Sequence, residues 1–448
     1  MKRATMMTTL FALCTLGAAT SAFAATPPPD PAPVVDGDTT AATLQGMQVI
    51  VKRVPGADFV SANLYVKGGA RNWSHDNAGV ESLALAVAAS GGTEKLAKDA
   101  FARKLAHLGS TIVAETREEY SVFHVKSLQP AWEETFALAV DAFLRPALPA
   151  SEIEVQRQRF LAQLKHEEDD SDGRLGLMSH ELMFHEHPFA NRAVGTQLTM
   201  AKLDAGQLRA HLAKLRETGR LLLVVVGDVD AAPVLAAARQ AFGALPRGTF
   251  RDRPLAGPAP TAPKLEAVER KLPTNYIEGR FVGPAWNDPA FAAGLVGMRV
   301  LGYRVFLEVR TKRNLSYAPD ARLAVNQAYP LGSLYVTTVD PQTTWTVMLD
   351  EARKLAALPV AADELAGTKS QYLTSFLMAN ETTTGQAGMI GDSQLYAGDW
   401  RFVRTWPERI RKVTPADVTA FAKKYLHTLQ TTYLGDPAKV DKKLFESL

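Results

Sequence analysis

Two long segments of this chain repeat one another, and the repetition restricts it to folds built twice. LPASEIE at Leu148 opens a charged helix, and LPVAADEL at Leu358 opens another. LLVVVGDVDAAPV closes the first segment with an apolar strand ending in Gly227-Asp228, and TTYLGDPAKV closes the second with Gly435-Asp436. Pro149 and Gly227 lie 78 positions apart, Pro359 and Gly435 76. An amphipathic helix precedes each strand, LDAGQLRAHLAKL at Leu203 and TPADVTAFAKKYL at Thr414. Such internal similarity decides architecture before any single element does. The proline- and glycine-rich stretch Gly243 to Pro263 reads as the linker, leaving halves at 42–242 and 264–448.

Within the first half, MQVIVKRV and FVSANLYVKGG alternate as strands. Gly79–Ser90 and Leu96–His107 read as helices, and Thr111–Val125 as a hairpin turning at Arg117–Glu119. Ser151 with Glu154 three residues on has the pattern of a capping box for an Ile153–Glu168 helix. Strands paired with strands, then helices, predict α+β architecture: in each half a mainly antiparallel sheet with helices on one face.

The first 24 residues read as a signal peptide. Lys2 and Arg3 are basic, Thr8 to Ala19 is a short apolar core, and Ala22-Phe23-Ala24 is a small-x-small cleavage site. The lone Cys14 leaves with it, so no disulfide is expected, and a bacterial periplasm is the expected compartment. The remaining 48 basic and 47 acidic residues nearly balance, which gives no reason to expect nucleic acid or an anionic membrane as partner. Residues 25–41 are proline-rich and read as a disordered or extended arm.

VESLALAVAASGGT, Val80 to Thr93, is an apolar helix stopped by glycines, with one carboxylate, Glu81. Around it stand LQGMQVIVKRVPGADFVSANLYVKGGARNW, the FHEHPFANRAVGT run at Phe184 and FLEVRTKRNLSYA at Phe306. In this order the chain resembles, from about Leu44 onward, the insulinase/pitrilysin-type zinc peptidases, or inverzincins, which include the mitochondrial processing peptidase. Active members carry H-x-x-E-H on the first helix: two histidines one turn apart for zinc, and a glutamate as general base. The resemblance places Leu83, Ala86 and Val87 at those three positions and Gln163 at the third-ligand position. None is a metal ligand or base of the expected kind, so the chain itself is expected to hold no metal.

A relocated metal site is not expected. His180, His185, Glu186 and His187 lack a helical i, i+4 histidine pair and read as a helix end and exposed loop. His166 to Asp170 reads as a solvated helix end. The resemblance also implies an arginine and a tyrosine spaced R-x6-Y in the second half, here Arg310 and Tyr317. Arginine grips backbone carbonyls with permanent donors, and a tyrosine hydroxyl donates to an oxyanion. Asn314 stands where the family has glycine, and asparagine tolerates the left-handed backbone. Val113-Ala114 replaces the usual Asn-Ala of the substrate-edge strand.

Some family members are heterodimers in which one subunit carries the zinc motif and the other the Arg/Tyr pair. The expected role is therefore the zinc-less subunit, with zinc in a homologous partner and peptides as substrate. The rivals are an inert scaffold or peptide-binding protein, and a metallopeptidase with unorthodox ligands.

Overall fold

The computed structural model describes residues 30–251, 255–325 and 329–448, so the signal segment lies outside the described residues. Seven strands form the first sheet: β1 (Val34–Asp36), β2 (Thr39–Leu44), β3 (Met47–Arg53), β4 (Phe59–Lys67), β5 (Thr111–Thr116), β6 (Tyr120–Leu128) and β7 (Leu221–Gly227). Five form the second: β8 (Lys264–Glu269), β9 (Asn275–Val282), β10 (Asp320–Ala324), β11 (Leu331–Thr338) and β12 (Gln430–Gly435). Leaving out β1 and β2, the first sheet runs β3-β7-β4-β6-β5 and the second β8-β12-β9-β11-β10. The two orders are the same. In each, only the first and last strands pair in parallel, β3 with β7 and β8 with β12. The fold is α+β, with the duplication carried through strand by strand.

The halves exchange helices. The Ser171–Phe184 helix of the first half packs on β9 and β12 of the second, where Ser179 and Thr432 hydroxyls meet at 2.6 Å. Its counterpart, the Thr383–Tyr396 helix, packs on β4 and β7. There Ser61 Oγ lies 2.9 Å from the hydroxyls of both Thr383 and Thr384. This exchange explains why β7 is apolar at every position. Leu221, Leu223 and Val225 face the first half's own helical core, while Leu222, Val224 and Val226 meet Ala387 and Ile390 of the other half.

Two local expectations change. Residues 34–41 are not a free arm. Gly37-Asp38 turns a hairpin, β1 and β2, which extends the sheet beside β3. Arg401 and Arg404, packed on Trp400, pair with Asp36 and Asp38 and tie that turn to the second half. The Ser151/Glu154 capping box does not form either. The helix spans Ala150–Asp169 behind Pro149, which places Ser151 inside it. Glu154 instead bonds Arg157 and Gln158 on the outer face.

At the boundary between the halves, Tyr120 donates to Asp392 at 3.3 Å. Burial pushes the Asp392 carboxyl up to about 6. Arg117, the Tyr120 hydroxyl and His124 oppose that rise, and Glu115 adds to it. The folded protein therefore keeps a proton that the unfolded chain releases near pH 4. The stability this contributes is full below about pH 4 and is lost as the pH rises to about 6. Asp392→Asn cannot ionise. It should be more stable than wild type at pH 8 by on the order of 2 kcal/mol, with the gain fading toward pH 4. Equal denaturation midpoints at pH 8 would overturn this.

Candidate functional site

The Val80–Ser90 helix starts after Gly79 and ends at Gly91, with Gly92 left-handed at φ 85°. Leu83 and Val87 are fully buried, and Ala86 is half-buried. Leu83 and Val87 belong to one apolar core with Leu164 of the Ala150–Asp169 helix. Gln163 is exposed, and its amide donates to Glu167 at 2.9 Å. The buried residue in that turn is thus Leu164, one position beyond the expected Gln163, because the helix turns Gln163 outward. The zinc implied by the resemblance does not fit these side chains, which are hydrocarbon apart from an outward-facing amide.

Two polar clusters flank this apolar stripe, and only one residue of either, Glu81, stood out in the sequence. In the first, Glu152 accepts from Ser90 at 2.7 Å and from Gln156 at 2.7 Å, and pairs with Lys98. In the second, fully buried Glu81 accepts from Ser121 Oγ at 2.5 Å and Trp73 Nε1 at 3.2 Å, and lies 2.8 Å from His211 Nε2. Its partners are scattered over the sequence, so only an acid in an otherwise apolar helix hinted at them. Neither cluster is a metal set: among the described residues no three His, Cys, Asp or Glu side chains gather as one.

The histidine run at 180–187 is also dispersed. His180 packs on Phe184, and burial holds its imidazole down at about 4. His185 is exposed. His187 caps a short turn, its Nδ1 accepting from the Phe189 N–H, and its Nε2 lies 2.8 Å from the Ala256 carbonyl. At the other acidic run, Asp170 caps the Ser171–Phe184 helix and Glu167 pairs with Arg192.

Arg310 and Tyr317 do come together. The Phe291–Val305 helix continues into a wider π-turn, Phe306–Thr311, a device that recurs at functional sites. Glu308 secures that turn by pairing with Lys312 and Arg313, each at 2.5 Å. Asn314, at φ 52°, takes the left-handed conformation that reverses the chain. Arg310 then donates to the Tyr317 carbonyl at 3.0 Å. Its guanidinium carbon lies 5.2 Å from the Phe306 ring centre and 5.4 Å from that of Tyr317. Tyr317 is 77% exposed, Tyr303 56% and Phe306 39%. No carboxylate pairs with Arg310 among the described residues. The arrangement presents a cation gripped between two aromatic rings, with a free phenol beside it. It can donate several hydrogen bonds to carbonyl oxygens or to a developing oxyanion.

In the first half, β5 is one of the sheet's two edges, with Val113 exposed on it. In the second, the equivalent edge is β10, which follows directly on Tyr317.

Comparison with known families matches residues 48–197 to the insulinase family, peptidase family M16, and residues 202–372 to the peptidase M16 inactive domain. The chain belongs to peptidase family M16. An uncharacterized zinc protease of Mycobacterium leprae is 22% identical over 396 residues, 85% of this chain and 88% of that protein. The mitochondrial-processing peptidase subunit beta of Saccharomyces cerevisiae is 21% identical over 411 residues, 87% and 88%. Among solved structures, a peptidase M16 inactive domain from Pseudomonas fluorescens aligns at TM-score 0.80 and 20% identity, covering 88% of this chain and 97% of that one. The periplasmic protease PqqL from Escherichia coli aligns at 0.77 and 16% identity, covering 91% of this chain and 46% of its own. These likenesses establish the M16 fold. Among the described residues, no helix of this M16 chain is long and apolar enough to cross a membrane.

Proposed function

We propose that this M16 chain is the zinc-less subunit of a heterodimeric periplasmic peptidase. A zinc-bearing homologue supplies metal, water and base, and this chain supplies Arg310 and Tyr317 to the substrate and its oxyanion. One observation carries the reading: Arg310 is held in place by Phe306 and Tyr317, yet has no carboxylate partner among the described residues. An unpaired, preorganised cation beside exposed aromatic rings suits an external ligand better than it suits stability. The buried apolar stripe at Leu83 and Val87 supports a metal held by the partner rather than by this chain. The substrates are unfolded peptides small enough to be enclosed between the subunits. The periplasmic assignment rests on the signal-like first 24 residues and on the fold likeness to the periplasmic protease PqqL.

The test is reconstitution with the zinc-bearing homologue. The chain alone should bind no stoichiometric zinc and cleave nothing. In the reconstituted pair, Tyr317→Phe should lower turnover on the order of a hundredfold while KM holds, because it removes one oxyanion donor. Arg310→Ala should also raise KM, because it removes contacts made to the bound peptide. Wild-type rates in both variants would sink the catalytic role. That outcome would leave the second reading, an inert scaffold, which is favoured by the inactive-domain match over residues 202–372.

A further inference from the structure

The exit of the Phe306–Thr311 π-turn carries three cations in four positions, Arg310, Lys312 and Arg313. One carboxylate lies among them. Glu308 pairs with Lys312 and Arg313 at 2.5 Å each, and Arg313 Nη1 also donates to the Glu308 carbonyl at 2.9 Å. Arg310 donates to the Tyr317 carbonyl at 3.0 Å and pairs with no carboxylate among the described residues. The acid thus takes two of the three cations and leaves the third uncompensated.

Helix stability does not account for Glu308. Its side chain is 18% exposed, but its partners Lys312 and Arg313 are 61% and 43% exposed. Ion pairs that open to water contribute little. An acid in the last turn of a helix also opposes the helix dipole. Hydrogen bonds from Lys312 and Arg313 nevertheless hold the Glu308 carboxyl below its usual range.

The backbone at this exit shows what the tie is for. The Lys312 N–H reaches back five residues to the Leu307 carbonyl at 2.9 Å, where a regular α-helix reaches four. The Leu315 N–H reaches back six to the Val309 carbonyl at 2.9 Å, where the common helix-ending turn reaches five. Both loops are one residue wider than usual, and a wider loop is less constrained. Glu308 spans them, joining the π-turn to the two residues before Asn314, where the chain reverses. Side chains two apart on a helix do not face each other. The tie therefore fixes the backbone on either side of Arg310 and leaves the guanidinium free. Without the carboxylate, three like charges would crowd the turn and push it open.

We propose that Glu308 is a positioning residue for the Arg310–Tyr317 pair. It removes Lys312 and Arg313 from competition and holds the turn so that Arg310 alone, with Tyr317 beside it, meets a ligand oxygen. The inference rests on reading Arg310 and Tyr317 as the ligand-facing pair.

The test has two arms. In the first, the full chain alone carries 3-fluorotyrosine at Tyr317, and fluorine NMR reports the guanidinium beside that ring. Arg310→Ala defines the resonance of the lost contact. Glu308→Gln, which keeps the shape and removes the charge, should move the resonance more than halfway to that value. The double variant Lys312→Ala, Arg313→Ala should do the same, and Glu154→Gln, a paired surface acid on another helix, should not. In the second arm, the pair reconstituted with the zinc-bearing homologue is assayed. Glu308→Gln should lower turnover on the order of tenfold, and should add no further loss when Arg310 is already alanine. A merely structural role would add its loss in both backgrounds. A fluorine resonance that stays in place in Glu308→Gln, or an additive loss of turnover, would overturn the proposal. Wild-type turnover in Arg310→Ala and Tyr317→Phe would instead sink the catalytic reading, and the fluorine arm would still decide whether Glu308 sets the geometry of the pair.

Discussion

The triple variant Leu83→His, Ala86→Glu, Val87→His, which writes the family's zinc motif back into the first helix, should unfold far more readily than wild type and gain no zinc site. Leu83 and Val87 are fully buried in the first half's core. Each imidazole placed there without a partner costs about 1–3 kcal/mol, to which lost packing adds. Two such groups consume a large part of the roughly 5–15 kcal/mol that holds a domain folded. Zinc cannot restore the loss, because the facing helix offers Leu164 to this core and turns Gln163 toward Glu167. Denaturant midpoints with and without added zinc measure the effect. A variant that keeps the wild-type midpoint, or that zinc stabilises strongly, would show that the helix had kept room for the site.

The duplication was legible because it is written in spacing: two Pro-to-Gly intervals of nearly equal length, each ending in Gly-Asp. The strand order was not, since pairing β3 with β7 joins segments that no local pattern links. Nor does periodicity say which sheet a helix covers. Ser171–Phe184 and Thr383–Tyr396 have only weakly one-sided patterns, and their crossing to the opposite half is a tertiary choice. The uninterrupted apolar run of β7 was the available clue, because it requires both faces to be covered. Gly37-Asp38, a glycine-first two-residue loop, likewise marked a hairpin, and the proline-rich residues before it hid the signal.

Arg310 and Tyr317 were singled out only through the family resemblance, and the left-handed turn expected at Asn314 is present. The two rings around Arg310 were not legible, because the π-turn that brings Phe306 beside it depends on a shift in hydrogen bonding that composition does not reveal.

Glu81 is the residue the sequence marked as odd without saying why, and its removal should be among the most costly single changes in the chain. The carboxylate joins the first helix to three other elements: the Trp73 loop, strand β6 through Ser121, and the Ala205–Leu215 helix through His211. Glu81→Ala would strand an indole N–H, a hydroxyl and an imidazole around a cavity. Removing one member of such a buried network costs about 3–5 kcal/mol. Glu81→Gln should cost much less. Its amide oxygen can face Trp73 and His211, and its amide nitrogen can donate to Ser121 Oγ, which then donates only to Thr116, its present partner at 3.0 Å. Urea denaturation of both variants separates the cases. Equal, small losses for alanine and glutamine would mean that the network adds little and that packing alone holds the helix in place.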